Sequence, residues 1–336
     1  MEIKQIRKRP ALSSLSIGGA TYDLFLEMQE GIPLKENTIA LAIGGKLPVK
    51  RVVECTGGGA CNTSVGLSRL GLRAGFCGIV GSDQWGEKLL TTLMNERVNV
   101  TPATIVEGET SSFSIILTLE GGERTILYAP GVNEHLHDVT FDTESIHSTD
   151  VLYLNHLSET ACAIEDDLIE AIIGRPEVHL TWNPGGCQIA EGIDANSKAA
   201  ILKQTDVLLL NREEALAFTR STDIDDAFAL LERAGPKHIC ITDGKNGSIG
   251  SSQGKRFHCP VLPDVDVIET TGAGDAFGIG VTWGCATGLS LQESLMAGTL
   301  NAASVVGRIG AQAGLLTTTQ MRERLSHCPI RVSEIN

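Results

Sequence analysis

Residues 206–242 read DVLLLNREEALAFTRSTDIDDAFALLERAGPKHICIT. Asp206–Leu210 opens this stretch as a short continuous apolar run, and His238–Thr242 closes it as another. Runs of this length without alternation suit strands buried on both faces. Between them, Glu213–Thr219 and Asp225–Arg233 space their apolar residues as helices do. A strand, a helical connection and a further strand make a crossover unit, with parallel strands and a right-handed connection. Toward the N-terminus the same rhythm gives candidate strands at Leu12–Gly18, Ala74–Val80, Asp150–Leu154 and Val178–Trp182. Candidate helices lie between them at Asn62–Leu70, Asp83–Arg97, Cys162–Ile173 and Ser197–Lys203. Toward the C-terminus a long helical run, Ala276–Thr287, follows an extended stretch rich in Pro and Val, and a short polar helix and a tail follow Thr317. The expectation is an α/β chain with a mostly parallel sheet covered by helices on both faces.

Two stretches break the rhythm. Phe113, Ile115, Leu117 and Leu119 alternate with Ser112, Ser114 and Thr118; Glu120-Gly121-Gly122-Glu123 follows as a turn and Arg124–Ala129 as a return strand. That is a hairpin with one buried face. Ile39–Gly44 and Val49–Glu54 read as another strand pair around Gly44, Gly45 and Pro48. The division expected is a core of residues 1–22, 57–110 and 131–330, an inserted antiparallel β-lid of residues 23–56 and 111–130, and a tail at 331–336.

The chain has 336 residues, of which 37 are glycine, above the usual ~7 %. Its 27 Lys and Arg against 41 Asp and Glu leave a net charge of −14. Nucleic acids and anionic membranes reward basic patches, so neither is an expected partner. The longest uncharged run, Ala276–Gln292, falls short of the ~20 apolar residues of a membrane span. Lys4, Arg7, Lys8 and Arg9 precede an apolar stretch, but Ser13, Ser14 and Ser16 interrupt it, which favours a first strand over a signal peptide. The nine cysteines contain no C-x-x-C pair and read as reduced hydrophobes in a cytoplasmic protein.

The glycines cluster where chemistry would need them. Glu269-Thr270-Thr271-Gly272-Ala273-Gly274-Asp275 opens the helical run at Ala276. A glycine-rich turn at a helix N-terminus presents backbone N–H groups to an anion such as phosphate. The plainer alternative makes Asp275 an N-cap worth about 1 kcal/mol. Thr56-Gly57-Gly58-Gly59-Ala60-Cys61-Asn62 precedes another helix, either as a close backbone approach to a ligand or as an ordinary loop. Gly45-Lys46, Gly244-Lys245 and Gly254-Lys255 lack the following Ser or Thr of a Walker A loop. Gly18-Gly19-Ala20-Thr21 lacks the third glycine of a dinucleotide fingerprint, and His135 and His137 have no companion ligands for a metal.

Together the two clusters resemble the signatures of the ribokinase-like, or PfkB, carbohydrate kinases. Gly272-Ala273-Gly274-Asp275 resembles the C-terminal signature, and Thr56–Gly71 with Gly78-Ile79-Val80-Gly81-Ser82-Asp83 resembles the N-terminal one. The likeness runs from about Ser16 to Leu316. It implies a three-layer α/β/α core with a β-lid, and transfer of the γ-phosphate of ATP, with Mg²⁺, to a hydroxyl of a sugar or nucleoside. Carried over by position, Asp275 is the base and the backbone of Gly272, Ala273 and Gly274 is the anion hole. Asp23, Gly58 and Asn62 hold substrate hydroxyls. Asn211 and Glu214 serve phosphate and Mg²⁺, Glu214 through water; residue type alone allows a capping box just as well. Thr242, Gly244 and Gly247 form a nucleotide loop, and Thr299 and Asn301 neighbour the adenine. Glu269 stands where the family often has Asp, which leaves activation by a monovalent cation open. Gly59 stands where many ribokinases carry Lys, which argues against ribose itself.

Three rivals follow. A nucleoside kinase needs an aromatic platform, which Phe113 or Tyr22 would supply. A sugar-phosphate kinase of phosphofructokinase type needs cations, for which Lys46, Lys50, Arg51 and Arg124 are the candidates. A non-catalytic sugar or nucleotide sensor on the same fold is disfavoured by Asp275 and its glycines. The Asp23 carboxylate and the acidic surface favour an unphosphorylated substrate. The lid is expected to cover the site and to pair with a second copy.

Overall fold

The structure is a computed structural model that describes residues 11–29, 34–35, 38–39, 41, 43–118, 124–136, 143–157, 166–194 and 196–335. The strands are β1 (Ser13–Ile17), β2 (Thr21–Met28), β3 (Leu34–Lys35), β4 (Thr38–Ile39), β5 (Val49–Gly57), β6 (Arg73–Cys77), β7 (Ile79–Gly81), β8 (Thr104–Val106), β9 (Phe113–Thr118), β10 (Arg124–Ala129), β11 (Val151–Leu154), β12 (His179–Trp182), β13 (Val207–Asn211), β14 (His238–Thr242), β15 (Ser248–Ser252), β16 (Lys255–Cys259) and β17 (Ser333–Ile335). The helices are α1 (Gly59–Arg69), α2 (Gln84–Asn95), α3 (Thr143–His147), α4 (Asp166–Ile173), α5 (Gly186–Glu191), α6 (Asn196–Gln204), α7 (Arg212–Thr219), α8 (Ile224–Ala234), α9 (Ala273–Ala286), α10 (Leu291–Val306) and α11 (Thr318–Ser326).

The continuous apolar runs become the parallel heart of a nine-stranded sheet in the order β17-β16-β15-β14-β13-β12-β11-β1-β6. Pairing is parallel from β14 to β6 and antiparallel from β14 to β17. Each face buries its own apolar layer. Leu67, Phe76, Ile279 and Leu295 belong to one, and Leu152, Leu180, Trp182, Phe218 and Phe228 to the other; all are at 0 % exposure. This is the α/β class read from residues 206–242.

A four-stranded sheet, β10-β9-β2-β5, stands apart from the core sheet. The β9–β10 hairpin forms as expected, with Phe113 opposite Ala129 and Thr118 opposite Arg124, while its turn at 119–123 lies outside the described residues. Other details differ from expectation. Among the described residues β5 pairs with β2, antiparallel from Thr21↔Gly57 to Met28↔Val49, and not with the expected strand at 39–44; Thr38–Ile39 pairs with Leu34–Lys35. Asp23 lies within β2, which pairs antiparallel with β5 but parallel with β9, so the lid sheet is mixed and not wholly antiparallel as expected. Ala74–Val80 is not one strand: it breaks at Gly78, whose carbonyl accepts from Thr104 N at 2.8 Å, and β7 leaves to pair with β8. The last residues are not a free tail, because Ser333–Ile335 extends the core sheet along β16.

Candidate active site

The carboxyl ends of the parallel strands open onto a cavity of about 520 Å³, the position at which open α/β sheets bind ligands. Gly19 and Thr21 reach it from the end of β1, Gly58 and Gly59 from the start of α1, and Asn155 and His156 from the end of β11. Asn183 reaches it from the end of β12, Tyr128 from β10 and Asp275 from α9. A second cavity of about 600 Å³ is walled by Thr242, Gly244, Gly247, Val261, Leu262, Phe277, Thr299, Ala302, Ala303 and Val306, together with Ala273 and Gly274. The first turn of α9 thus faces both cavities: Gly274 lines one and Asp275 the other.

That turn is built by backbone rules. Gly272 caps α9 at φ +77°, and a Cβ there would lie 2.4 Å from that of Ala311, so only glycine fits. Asp275 is therefore not the N-cap; it sits inside the first turn. The first intrahelical bond runs from Ala276 N to Gly272 O at 2.8 Å, and Ala273 N turns back to Thr270 O at 3.2 Å. The N–H groups of Gly274 and Asp275 precede that first bond and have no helical acceptor. They stand at the positive end of the helix dipole, aimed where an anion would be held. A Cβ on Gly274 would meet nothing within 4 Å, so the space before these donors is open.

Asp275 accepts a hydrogen bond from Asn62 Nδ2 at 2.8 Å. Burial pushes its carboxyl up to about 6, against the pull of that donor. Asn62 lies in α1 at 3 % exposure and does not line the first cavity. Its Oδ1 accepts from Gln312 Nε2 at 2.9 Å. Both ends of its amide are thus committed to protein groups, which differs from the expectation of a direct hydroxyl ligand. Asp23 is at 8 % exposure and does not line the cavity either, although it shares a face of β2 with Thr21, which does. Burial raises its carboxyl to about 6, with Ser114 lowering it and Glu269 adding to the rise.

On the nucleotide side the structure brings together Thr242, Gly244, Gly247 and Thr299 beside Ala273 and Gly274. Asn301 is not among them. It is buried at 0 % exposure, with Nδ2 donating to Ala276 O at 2.8 Å and Oδ1 accepting from Leu316 N at 3.0 Å, and so ties α10 to α9. Asn211 and Glu214 form a capping box at α7: Glu214 N donates to Asn211 Oδ1 and Asn211 N to Glu214 Oε2, both at 2.8 Å. Glu214 Oε1 takes no part in the box, burial raises the carboxyl, and His156 of the first cavity lies near enough to act on it electrostatically. Among the described residues no three of His, Cys, Asp and Glu converge as a metal cage. Mg²⁺ keeps several waters and binds through phosphates, so the sparse donor set is compatible with an ion carried by a phosphate ligand, and Glu214 Oε1 is a carboxylate oxygen outside the capping box.

Several groups escaped the sequence reading. Asn133 and Asn155 line the first cavity, and each spends its amide N–H on a main-chain carbonyl, of Ala20 and of Ile17, at 3.1 Å. Their Oδ1 atoms are buried without a partner. A Cβ on Gly59 would lie 2.9 Å from Asn155 Oδ1, so the room left by that glycine gives onto an acceptor. Arg124 Nη1 reaches across from β10 to Glu269 Oε1 at 2.8 Å and Thr270 Oγ1 at 3.0 Å. Lys50 pairs with Glu27 at 2.7 Å on the surface, and Lys46 and Arg51 are exposed. None of these four cations lines the first cavity. Tyr22 and Phe113 are committed to a cluster with Trp85, at ring separations of 4.8 and 5.0 Å, over which Lys88 sits. Neither ring faces the cavity, which corrects their reading as a base platform.

The profile of the pfkB family carbohydrate kinases matches residues 32–318. A sugar kinase of Archaeoglobus fulgidus, itself uncharacterised, is 32 % identical over 256 residues, covering 75 % of this chain and 98 % of its own. A fructokinase of Salmonella typhimurium is 28 % identical over 287 residues, covering 82 % of this chain and 92 % of its own. The structure of Arabidopsis thaliana ribokinase complexed with ribose and ATP superposes with a TM-score of 0.76 at 22 % identity, over 94 % of this chain and 99 % of that one. The family profile spans both glycine signatures and most of the chain between them, and this chain belongs to the pfkB carbohydrate kinases.

Proposed function

We propose that this chain transfers the γ-phosphoryl group of ATP to a hydroxyl of an unphosphorylated sugar. The observation that carries the reading is the first turn of α9, which presents the Asp275 carboxylate to one cavity and the Gly274 backbone to the other. Asp275 takes the proton of the attacking hydroxyl, whose oxygen bonds to the γ-phosphorus as the bond to the bridging oxygen breaks and ADP departs. With a carboxyl near 6 the base is ionised at neutral pH and still basic enough to accept the proton. The free N–H groups of Gly274 and Asp275 stabilise the charge on the equatorial oxygens, whereas the Ala273 N–H expected to join them is spent on Thr270 O. Thr242, Gly244, Gly247 and Thr299 seat the nucleotide against the apolar wall, with Phe277 and Val306 beside the adenine. When bound with the nucleotide, Mg²⁺ would supply charge neutralisation, and Asn211 and Glu214 are the residues that would hold its waters. Asp23 and Gly58 hold substrate hydroxyls, with Asp23 turning toward the sugar. The β9–β10 hairpin, which contributes Tyr128 to the cavity, shields the transfer from water.

The substrate class follows from the cavity wall. Two unpartnered carboxamide oxygens, Asn133 Oδ1 and Asn155 Oδ1, ask for hydroxyl donors. Glu134 adds a carboxylate, and the lid cations are exposed or paired elsewhere, so a phosphate ester meets acceptors and no cation. Dependence on ATP and nine cysteines without a pairing motif fit a cytoplasmic setting. Among the described residues no helix is long and apolar enough to cross a membrane. The test is ATP consumption over a panel of free sugars, nucleosides and sugar phosphates. Turnover is expected on free sugars, and efficient use of fructose 6-phosphate with none on free sugars or nucleosides overturns the reading.

A further inference from the structure

The carboxamide of Asn62 can present either its N–H or its oxygen to Asp275, and only the first supports a carboxylate. The groups behind Asn62 decide between them. Gln312 Nε2 donates to Asn62 Oδ1 at 2.9 Å, which leaves Asn62 Nδ2 for Asp275 Oδ2 at 2.8 Å. Gln312 is itself oriented, because its Oε1 accepts from Thr56 Oγ1 at 2.8 Å. Its main chain is held by Arg69, whose Nη1 donates to Gln312 O at 2.6 Å. Glu96 clamps Arg69 in turn, at 2.9 Å from Nε and 2.6 Å from Nη2. Thr56, Asn62 and Gln312 are at 7 %, 3 % and 8 % exposure. Water therefore does not compete for these bonds, and each polarises the next.

We propose that Gln312 is a positioning residue of the phosphoryl transfer, which fixes the Asn62 carboxamide so that its N–H faces Asp275 and keeps the base ionised and aimed. The proposal rests on the kinase reading above. With Gln312 gone, Asn62 loses the donor that distinguishes its two ends and presents its oxygen to the carboxylate part of the time. Among the described residues Cys61 on α1 and Tyr153 on β11 act electrostatically on Asp275 and are both held protonated, with burial as the first cause, while Glu134 and His156 share its cavity. Neither Cys61 nor Tyr153 titrates near neutrality. Asp23, also near 6, does, so the measurement has to report on Asp275 itself.

The side-chain amide resonances of Asn62 provide that report, since they sense the carboxylate they donate to. In Gln312→Leu their pH midpoint is expected to rise by about one unit, the scale of one weakened charge-assisted hydrogen bond. The acid limb of kcat/KM should move with it. Asn62→Ala, which removes the donor outright, should move the limb at least as far, and adding Gln312→Leu to that variant should move it no further. An unmoved midpoint, or shifts that add in the double variant, overturns the proposal. If Gln312→Leu does not fold, Thr56→Val frees the far end of Gln312 without removing it, and a smaller rise is expected; no rise overturns the proposal. A wild type without activity on any substrate would sink the kinase reading, while the Asn62 titration would still decide the role of Gln312.

Discussion

Asp275, the base of the proposed transfer, stands where burial opposes its charge. Its folded value near 6 lies above the ordinary 3.8. Between those values the unfolded chain has released the proton that the folded one retains, so stability falls as pH rises through this window. The contribution is whole below about pH 4 and lost above about pH 6. Asp275→Asn removes the base and the cost together. Turnover should drop about 10²–10⁴-fold, the range for loss of a general base. The melting temperature should exceed that of wild type above pH 6, and the two curves should converge below pH 4. Calorimetry across pH checks this, and equal melting at pH 8 would show that the carboxylate is not held against its solvation. Enzymes commonly trade stability for activity at such a residue.

Elements set these residues in place, and one ion pair joins two of them. Arg124, the first residue of β10, holds Glu269 just before the turn that opens α9. Glu269 Oε1 also accepts from Thr271 N at 2.7 Å, so the guanidinium, the carboxylate and the catalytic loop form one unit. The Glu269 side chain is 6 % exposed and that of Arg124 31 %. Removing the arginine strands a buried carboxylate, whereas an exposed pair would cost little. Arg124→Ala should lower both the melting temperature and kcat and should speed amide exchange across β9 and β10. Arg124→Lys should restore part of each, because it returns the charge on a shorter side chain without the planar guanidinium. Unchanged exchange in the hairpin would show that the pair does not tie lid to loop. The pair itself was invisible in the sequence, where Arg124 and Glu269 lie 145 positions apart and alternation could not say which face Arg124 takes. What was legible had a local cause. The parallel strands showed as unbroken apolar runs, and α9 showed as a glycine turn before a helix. The antiparallel strands β15 to β17 at one end of the core sheet carry no such run and were missed. Asn155 and Asn183 were missed although each follows the last residue of a parallel strand, where ligands bind. Asn301 was misplaced because its signal, a polar residue in an apolar helix, marks a buried strut as readily as a binding group.

The whole molecule leaves one element unfinished. β10 is exposed along all six residues, with Ile126, Leu127 and Tyr128 at 48 %, 53 % and 53 %. It is an edge of the β10-β9-β2-β5 sheet, so one row of its backbone groups has no partner strand among the described residues. Soluble proteins seldom leave such an edge both apolar and open. We propose that a second copy of this chain covers it by two-fold symmetry, with β10 pairing antiparallel with itself so that the same contacts serve both subunits. The pairing would also shelter Tyr128 at the rim of the first cavity. Charge opposes it, since each copy carries −14, but at physiological ionic strength the repulsion is screened beyond about 8 Å. Association should therefore tighten as salt is added, the reverse of a contact held by ion pairs. Sedimentation velocity of wild type should show a dimer that strengthens from low to moderate salt. Ile126→Lys, which puts a charge on that edge, should sediment as a monomer with its fold intact. A wild type that stays monomeric at every salt concentration would assign the exposed edge to something other than self-association.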